Sequence, residues 1–176
     1  MSVGISVQVE PSSAPEPPHM EGDAISYCLA NARAKAEEVA SRFPGFFVLG
    51  ADTEVILDGV ALGKPRDRRH GYEMLRRLAD QTHAVVTAFV VVKPDGGKVE
   101  RTVYTAVTFK PLSDAEIEGY LNTGEPFDKA GGYGIQGVGG FLVLSISGSY
   151  SNVVGLPLAE VLKVLADVGG PTAFGG

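Results

Sequence analysis

FFVLGADTEVILDGVALGKP, residues Phe46 to Pro65, is the stretch whose reading decides the fold. It opens as a short apolar strand, Phe46 to Gly50, that stops at an acid, Asp52. A second strand follows, then a tight Asp58-Gly59 turn, a third short strand, and Lys64 ahead of Pro65. A carboxylate at the end of a buried strand is held stiffly while its head group faces a cleft. That arrangement suits metal binding or the deprotonation of a water, so the cleft is expected at the end of the Phe46–Gly50 strand.

Upstream, Val3, Ile5, Val7 and Val9 alternate weakly, and the chain then enters a proline-rich run from Glu10 to Asp23 that prevents any regular element. From Ala24, the residues Ile25, Leu29, Ala32, Ala36, Val39 and Phe43 lay one apolar stripe along a helix that ends near Pro44-Gly45, with Arg33 and Lys35 off the stripe. Downstream, Asp67 is placed to cap a helix through Ala79. Thr82 to Val92 is β-branched and too apolar for an edge strand. The turn Lys93-Pro-Asp-Gly-Gly97 returns the chain into a cleanly alternating strand, Lys98 to Phe109, so the pair reads as a long antiparallel hairpin.

Ser113-Asp-Ala-Glu116 is a capping box that opens a helix carrying Ile117, Tyr120 and Leu121 to Gly124. A glycine-rich loop from Glu125 to Gly140 leads to a strand from Phe141 to Ser147, a loop from Gly148 to Asn152, and a last helix opened by Pro157. Strands interleaved with helices predict an α/β domain with a mixed, twisted sheet flanked by helices. The expected organisation is an irregular arm over 1–23, the domain over 24–168 and a frayed tail over 169–176.

The bulk numbers narrow the function. With 176 residues, 44% hydrophobic and 20% charged, the chain is long enough for one core and has a globular composition. A net charge of −6 argues against gripping a nucleic-acid polymer over a broad basic surface, yet leaves room for a small anion held by a few lysines. The single cysteine, Cys28, lies in a helical pattern, which rules out an internal disulfide and fits a buried, inert thiol in a reducing cytoplasm. No apolar run is long enough to cross a bilayer, so no membrane partner is expected.

The loop Glu125-Pro-Phe-Asp-Lys-Ala-Gly-Gly-Tyr-Gly-Ile-Gln-Gly137 combines close backbone approach with a cation, Lys129, and an amide that can hydrogen-bond a planar group, Gln136. His83 reads as a structural hydrogen-bonding residue. Tyr150, Ser151 and Asn152 either shape a pocket or only form a turn.

Several blocks resemble the Maf family of nucleoside triphosphate pyrophosphatases. They are Leu29 to Ala36 on the first helix, Gly50-Ala51-Asp52-Thr53, Leu62-Gly63-Lys64-Pro65, His83 with Thr87, Thr108-Phe109, Gly124-Glu125-Pro126, Asp128 to Gly137, and Gly148 to Leu158, in the family's order. The resemblance implies a central nucleotide cleft and cleavage of a nucleoside triphosphate between the α and β phosphates, with Mg²⁺ or Mn²⁺ as cofactor and a homodimeric assembly. It makes Asp52 the catalytic acid and a metal ligand, Glu16 a second metal ligand, and Lys35, Lys64 and Lys129 phosphate-binding residues. Thr53 and Gln136 match the branch that prefers dTTP and UTP, and a glutamine amide, which donates and accepts at once, suits the pyrimidine's edge of carbonyl and ring N–H.

One departure stands beside these matches. Family members begin with a strand leading into Leu-Ala-Ser-x-Ser-Pro-Arg-Arg, where serines, backbone amides and an arginine embrace the triphosphate. Nothing of that form precedes Ile5. Either the start has been assigned too far downstream or part of the phosphate site is missing, Arg33 being on the wrong helix to substitute. The alternative that follows is a nucleotide-binding or regulatory protein without turnover.

Overall fold

In a computed structural model that describes residues 3–15 and 23–174, the chain folds as a five-stranded sheet with helices on both faces. Helix α1 (Ala24–Arg42) starts at Asp23, whose carboxylate accepts from the Ser26 amide at 2.9 Å. Strand β1 (Val48–Leu57) turns through Asp58 and Gly59, at φ of 52° and 78°, into the two-residue β2 (Val60–Ala61). Two consecutive positive φ values suit the tight hairpin turn that an Asp-Gly pair favours. Helix α2 (Arg68–Leu78) is capped by Asp67 as expected, and the hairpin strands β3 (Thr82–Val92) and β4 (Lys98–Phe109) keep the boundaries read from the sequence.

Helix α3 (Asp114–Asn122) carries the complete capping box of Ser113 and Glu116. Short 3₁₀ turns then lead to β5 (Val143–Ser147), α4 (Tyr150–Val154) and α5 (Leu158–Asp167).

The strand order is β2-β1-β3-β4-β5, and all four pairings are antiparallel. The α/β architecture is as expected, whereas the mixed sheet is replaced by an antiparallel one among the described residues. β3, at the centre, is buried along nearly its whole length, because α1 covers one face and the remaining helices the other. On the first face Cys28, Ala32 and Ala36 pack on Val48, Ala88, Val90 and Val92. On the second, α5 covers Phe89 and Val91, while α2 and α3 close over Val55, Val85, Val107 and Phe109.

Two readings are corrected here. Val48–Leu57 is one strand through Asp52, so the acid lies in mid-strand and not at a strand end, and Phe46 and Phe47 precede the strand. Its polar run is tolerated because each side chain finds a partner on its own face: Lys35 for Asp52, and Thr87 for Thr53. The 148–152 loop is the start of a short helix, with the Ser149 hydroxyl accepting from the Asn152 amide. Residues 10–13, read as part of an irregular arm, lie against α1 through Arg42 to the Pro11 carbonyl and Ser13 to Glu38.

Candidate active site

Adjacent residues of a strand point to opposite faces, and β1 uses this to divide the candidate residues. Thr53 and Val55 face a cavity of about 510 Å³ on the second face of the sheet. That cavity also gathers Lys64, Lys129 and Gln136, so four of the proposed substrate contacts share one space. Asp52 faces α1 instead, where Lys35 Nζ donates to its carboxylate at 2.5 Å. Between Val48 and Glu54, β1 pairs only with β3 among the described residues, so a single open strand edge separates the Lys35–Asp52 pair from the cavity. Glu16 lies outside the described residues.

The two cationic loops are tied together. The Gly131 amide donates to the Gly63 carbonyl at 2.7 Å, which sets the segment ending in Lys64 beside the one carrying Lys129. Gly131 has a φ of 70°, and a Cβ there would come within 2.9 Å of the Val55 side chain, so only glycine allows this approach. Lys129 Nζ rests on the Asp128 carboxylate at 2.6 Å. That ion pair is exposed enough for a polyphosphate to displace it at little cost.

The wall opposite is fixed by a buried polar network that the sequence did not reveal. The Thr53 hydroxyl pairs with that of Thr87 at 2.9 Å, and Thr87 donates to the Asn152 carbonyl at 3.2 Å. The Asn152 amide group donates to the Val85 carbonyl and to the Thr105 hydroxyl. Asn152, Thr87 and Thr105 are all buried, so these bonds hold Val153, Val154 and Gly155 at the cavity without solvent competition. The open question over Asn152 is thereby answered: it is an anchor inside the fold and not a rim residue.

His83 is a buried structural residue, hydrogen-bonded through Nε2 to the Tyr133 hydroxyl at 2.7 Å and stacked edge-on with Phe109 and Tyr133. Tyr133 lines the cavity, so this bond steadies one of its apolar walls. Burial lowers the His83 pKa from 6.5 to about 4. The folded protein thus refuses a proton that the unfolded chain accepts, and stability is expected to fall as pH drops from 6.5 toward about 4. The expected loss is about 2 kcal/mol by about pH 5. Urea denaturation near neutral pH and at the lower pH reads it, and His83→Gln should flatten that slope. A variant that keeps the slope would assign the acid sensitivity to other groups.

Cys28 is buried on α1, its thiol donating to the Asp52 carbonyl at 3.1 Å. Burial pushes its pKa up to about 12, so the thiol is inert at neutral pH, as the sequence suggested. Arg33 is committed elsewhere, in a two-pronged pair with Glu100 at 2.6 and 2.9 Å.

The structure thus brings two lysines, a threonine and a glutamine to one cavity and sets the lysine-paired aspartate on the opposite face of the same strand. The Maf-like protein family matches residues 1–168. The chain belongs to the Maf family. This Maf protein is 44% identical over 175 residues to a dTTP/UTP pyrophosphatase of Syntrophotalea carbinolica, covering 98% of this chain and 80% of the relative. It is 48% identical over 169 residues to one of Myxococcus xanthus, with 95% and 84% covered, and 50% identical over 139 residues to one of Geotalea uraniireducens, with 78% and 72% covered.

No helix among the described residues is long and apolar enough to cross a membrane. Glu125, Tyr133 and Gly155, which lie in the quoted blocks but were given no role of their own, also line the Maf cavity. A glutamate and a tyrosine inside a glycine-rich run carry no signal of their own until the loop is folded.

Proposed function

We propose that this Maf protein hydrolyses dTTP and UTP, or modified pyrimidine triphosphates, to the monophosphate and pyrophosphate. The observation that carries the reading is the convergence of Thr53, Lys64, Lys129 and Gln136 on one cavity, in a chain whose relatives are named for this activity. Gln136 is exposed at the cavity and offers a donor and an acceptor to the pyrimidine edge. Lys64 and Lys129 neutralise phosphate oxygens, on which charge shifts as the anhydride bond breaks. A triphosphate that leaves the cavity across the open edge of β1 meets Lys35 and Asp52, where the carboxylate orients the attacking water.

A divalent cation, Mg²⁺ or Mn²⁺, fits this donor set. Among the described residues no three histidine, cysteine or acidic side chains converge, while Asp52 offers a hard oxygen ligand. Mg²⁺ commonly takes one or two carboxylates and completes its shell with water and substrate phosphates. Asp52 would hold the ion, which when bound withdraws charge from the phosphates; Glu16 is the further ligand the family resemblance suggests.

The reading includes a homodimer working in the cytoplasm. The edge strand β5 leaves Leu144 exposed, with Val138 and Phe141 exposed just before it, which supplies apolar surface for a second copy. A single reduced cysteine agrees with that compartment.

Pyrophosphate release by the purified protein supplied with Mg²⁺ or Mn²⁺ tests the function. UTP and dTTP are expected to be turned over faster than GTP. Release no greater than background with every canonical and modified triphosphate would refute it.

A further inference from the structure

The segment that carries Gln136 is held from beneath by one carboxylate. Glu125 opens the 3₁₀ turn Glu125–Asp128, and its Oε1 accepts from the Tyr120 hydroxyl at 2.8 Å and from the Gly139 amide at 2.9 Å. Its Oε2 accepts from the Val138 amide at 2.8 Å. The Tyr120 hydroxyl in turn accepts from the Gly134 amide at 3.1 Å. One side chain thus reaches both ends of the segment 134–139, directly at the far end and through Tyr120 at the near end.

The glycines of the segment fit this contact. A Cβ on Gly137 would collide with the Glu125 carboxylate, one on Gly139 with the Tyr120 hydroxyl, and one on Gly134 would lie 2.6 Å from Lys129 Cε. The backbone has been brought down onto these side chains as far as it can go. With both oxygens occupied, Glu125 is poorly placed to take a proton from water. Partial burial pushes its pKa up, but the Gly139 amide, the Tyr120 hydroxyl and the Val138 amide more than offset this and keep the carboxyl below its ordinary range.

We propose that Glu125 is a positioning residue for the base side of the cavity: it clasps residues 134–139 in the conformation that sets Gln136 at the cavity, and so governs how the pyrimidine is held, not how the anhydride is cut. The substrate part of this inference rests on the pyrimidine triphosphate reading above; the clasp itself does not.

Glu125→Gln tests it. Glutamine keeps the shape, but its NH₂ must face either the Val138 amide or the pair formed by Gly139 and Tyr120, donor against donor. A donor facing a donor in place of an accepted hydrogen bond is expected to raise KM for UTP about 10-fold or more, with kcat held within about 3-fold. The preference for UTP over GTP should narrow. Hydrogen exchange at the Val138 and Gly139 amides should accelerate about 10-fold or more, while the amides of β3 keep their protection.

An unchanged KM in an active enzyme, a loss confined to kcat, or unchanged exchange at those two amides would overturn the proposal. If Glu125→Gln does not fold, Tyr120→Phe removes the hydroxyl that joins Glu125 to the Gly134 amide and keeps the buried ring. It should shift KM and loop exchange in the same direction, and its failure to do so would count equally against the clasp. Should the wild-type protein release no pyrophosphate, the assigned reaction fails while the exchange measurement still decides the clasp.

Discussion

Asp52→Asn is expected to lower kcat for pyrophosphate release from UTP by about 10²-fold to 10⁴-fold, with KM little changed. Asparagine has nearly the same shape, so the backbone of β1 and its pairing with β3 stay as they are. It lacks the anionic oxygen that receives Lys35 Nζ, and with it the proposed ligand for the water and a hard cation. The folding cost is small by contrast. The Lys35 side chain is 37% exposed, so water takes over its solvation when the partner charge is removed. Steady-state pyrophosphate release, read beside a thermal melt, separates the two effects. A variant that melts like the wild type and turns over UTP within a few-fold of it would show that another group orients the water.

The placement of Asp52 also shows what was legible in the sequence. The β3–β4 hairpin could be read to the residue, because a β-branched run, a Pro-Asp-Gly-Gly turn and a clean alternation all report the same local geometry. The caps at Asp67 and Ser113 were legible for the same reason, since each bond joins residues three apart. β1 was not legible as one strand. Asp52, Thr53 and Glu54 look like a break because the partners that support a polar run are far away in sequence: Lys35 for Asp52 on α1, and Thr87 for Thr53 on β3.

Two site features fall between these cases. The opposite orientation of Asp52 and Thr53 follows from the two-residue period of a strand once β1 is known to be continuous. The clasp at Glu125 had no such route. Its donors at Val138 and Gly139 lie 13 and 14 residues downstream, in a loop without periodicity. Outside the hairpins the antiparallel order of the sheet was equally hidden, since alternating strands and helices do not state strand direction when connections are long enough to permit either.

Gly50→Ala is expected to destabilise the protein by about 2–3 kcal/mol and to weaken catalysis with it. A Cβ at this position would lie 2.7 Å from the Ala36 amide nitrogen and 2.8 Å from both the Ala32 carbonyl oxygen and the Ala36 Cβ. Two of these three are backbone atoms of α1 and cannot rotate away, so the helix must retreat from β1. That movement opens the contact of Ala32 and Ala36 with Val48, Ala88 and Val90. It also carries Lys35, the neighbour of Ala36, away from Asp52. The close approach of helix to strand therefore sets the fold and the spacing of the Lys35–Asp52 pair together. Gly119 provides the contrast: it lies in α3 with open space where a Cβ would go, and Gly119→Ala should raise stability by about 0.5–1 kcal/mol through helix propensity alone. Urea midpoints for the two variants should move in opposite directions, and only Gly50→Ala should lower kcat/KM for UTP. Wild-type stability in Gly50→Ala would mean that α1 is not clamped to β1 at this point, and the geometry of the Lys35–Asp52 pair would then need another cause.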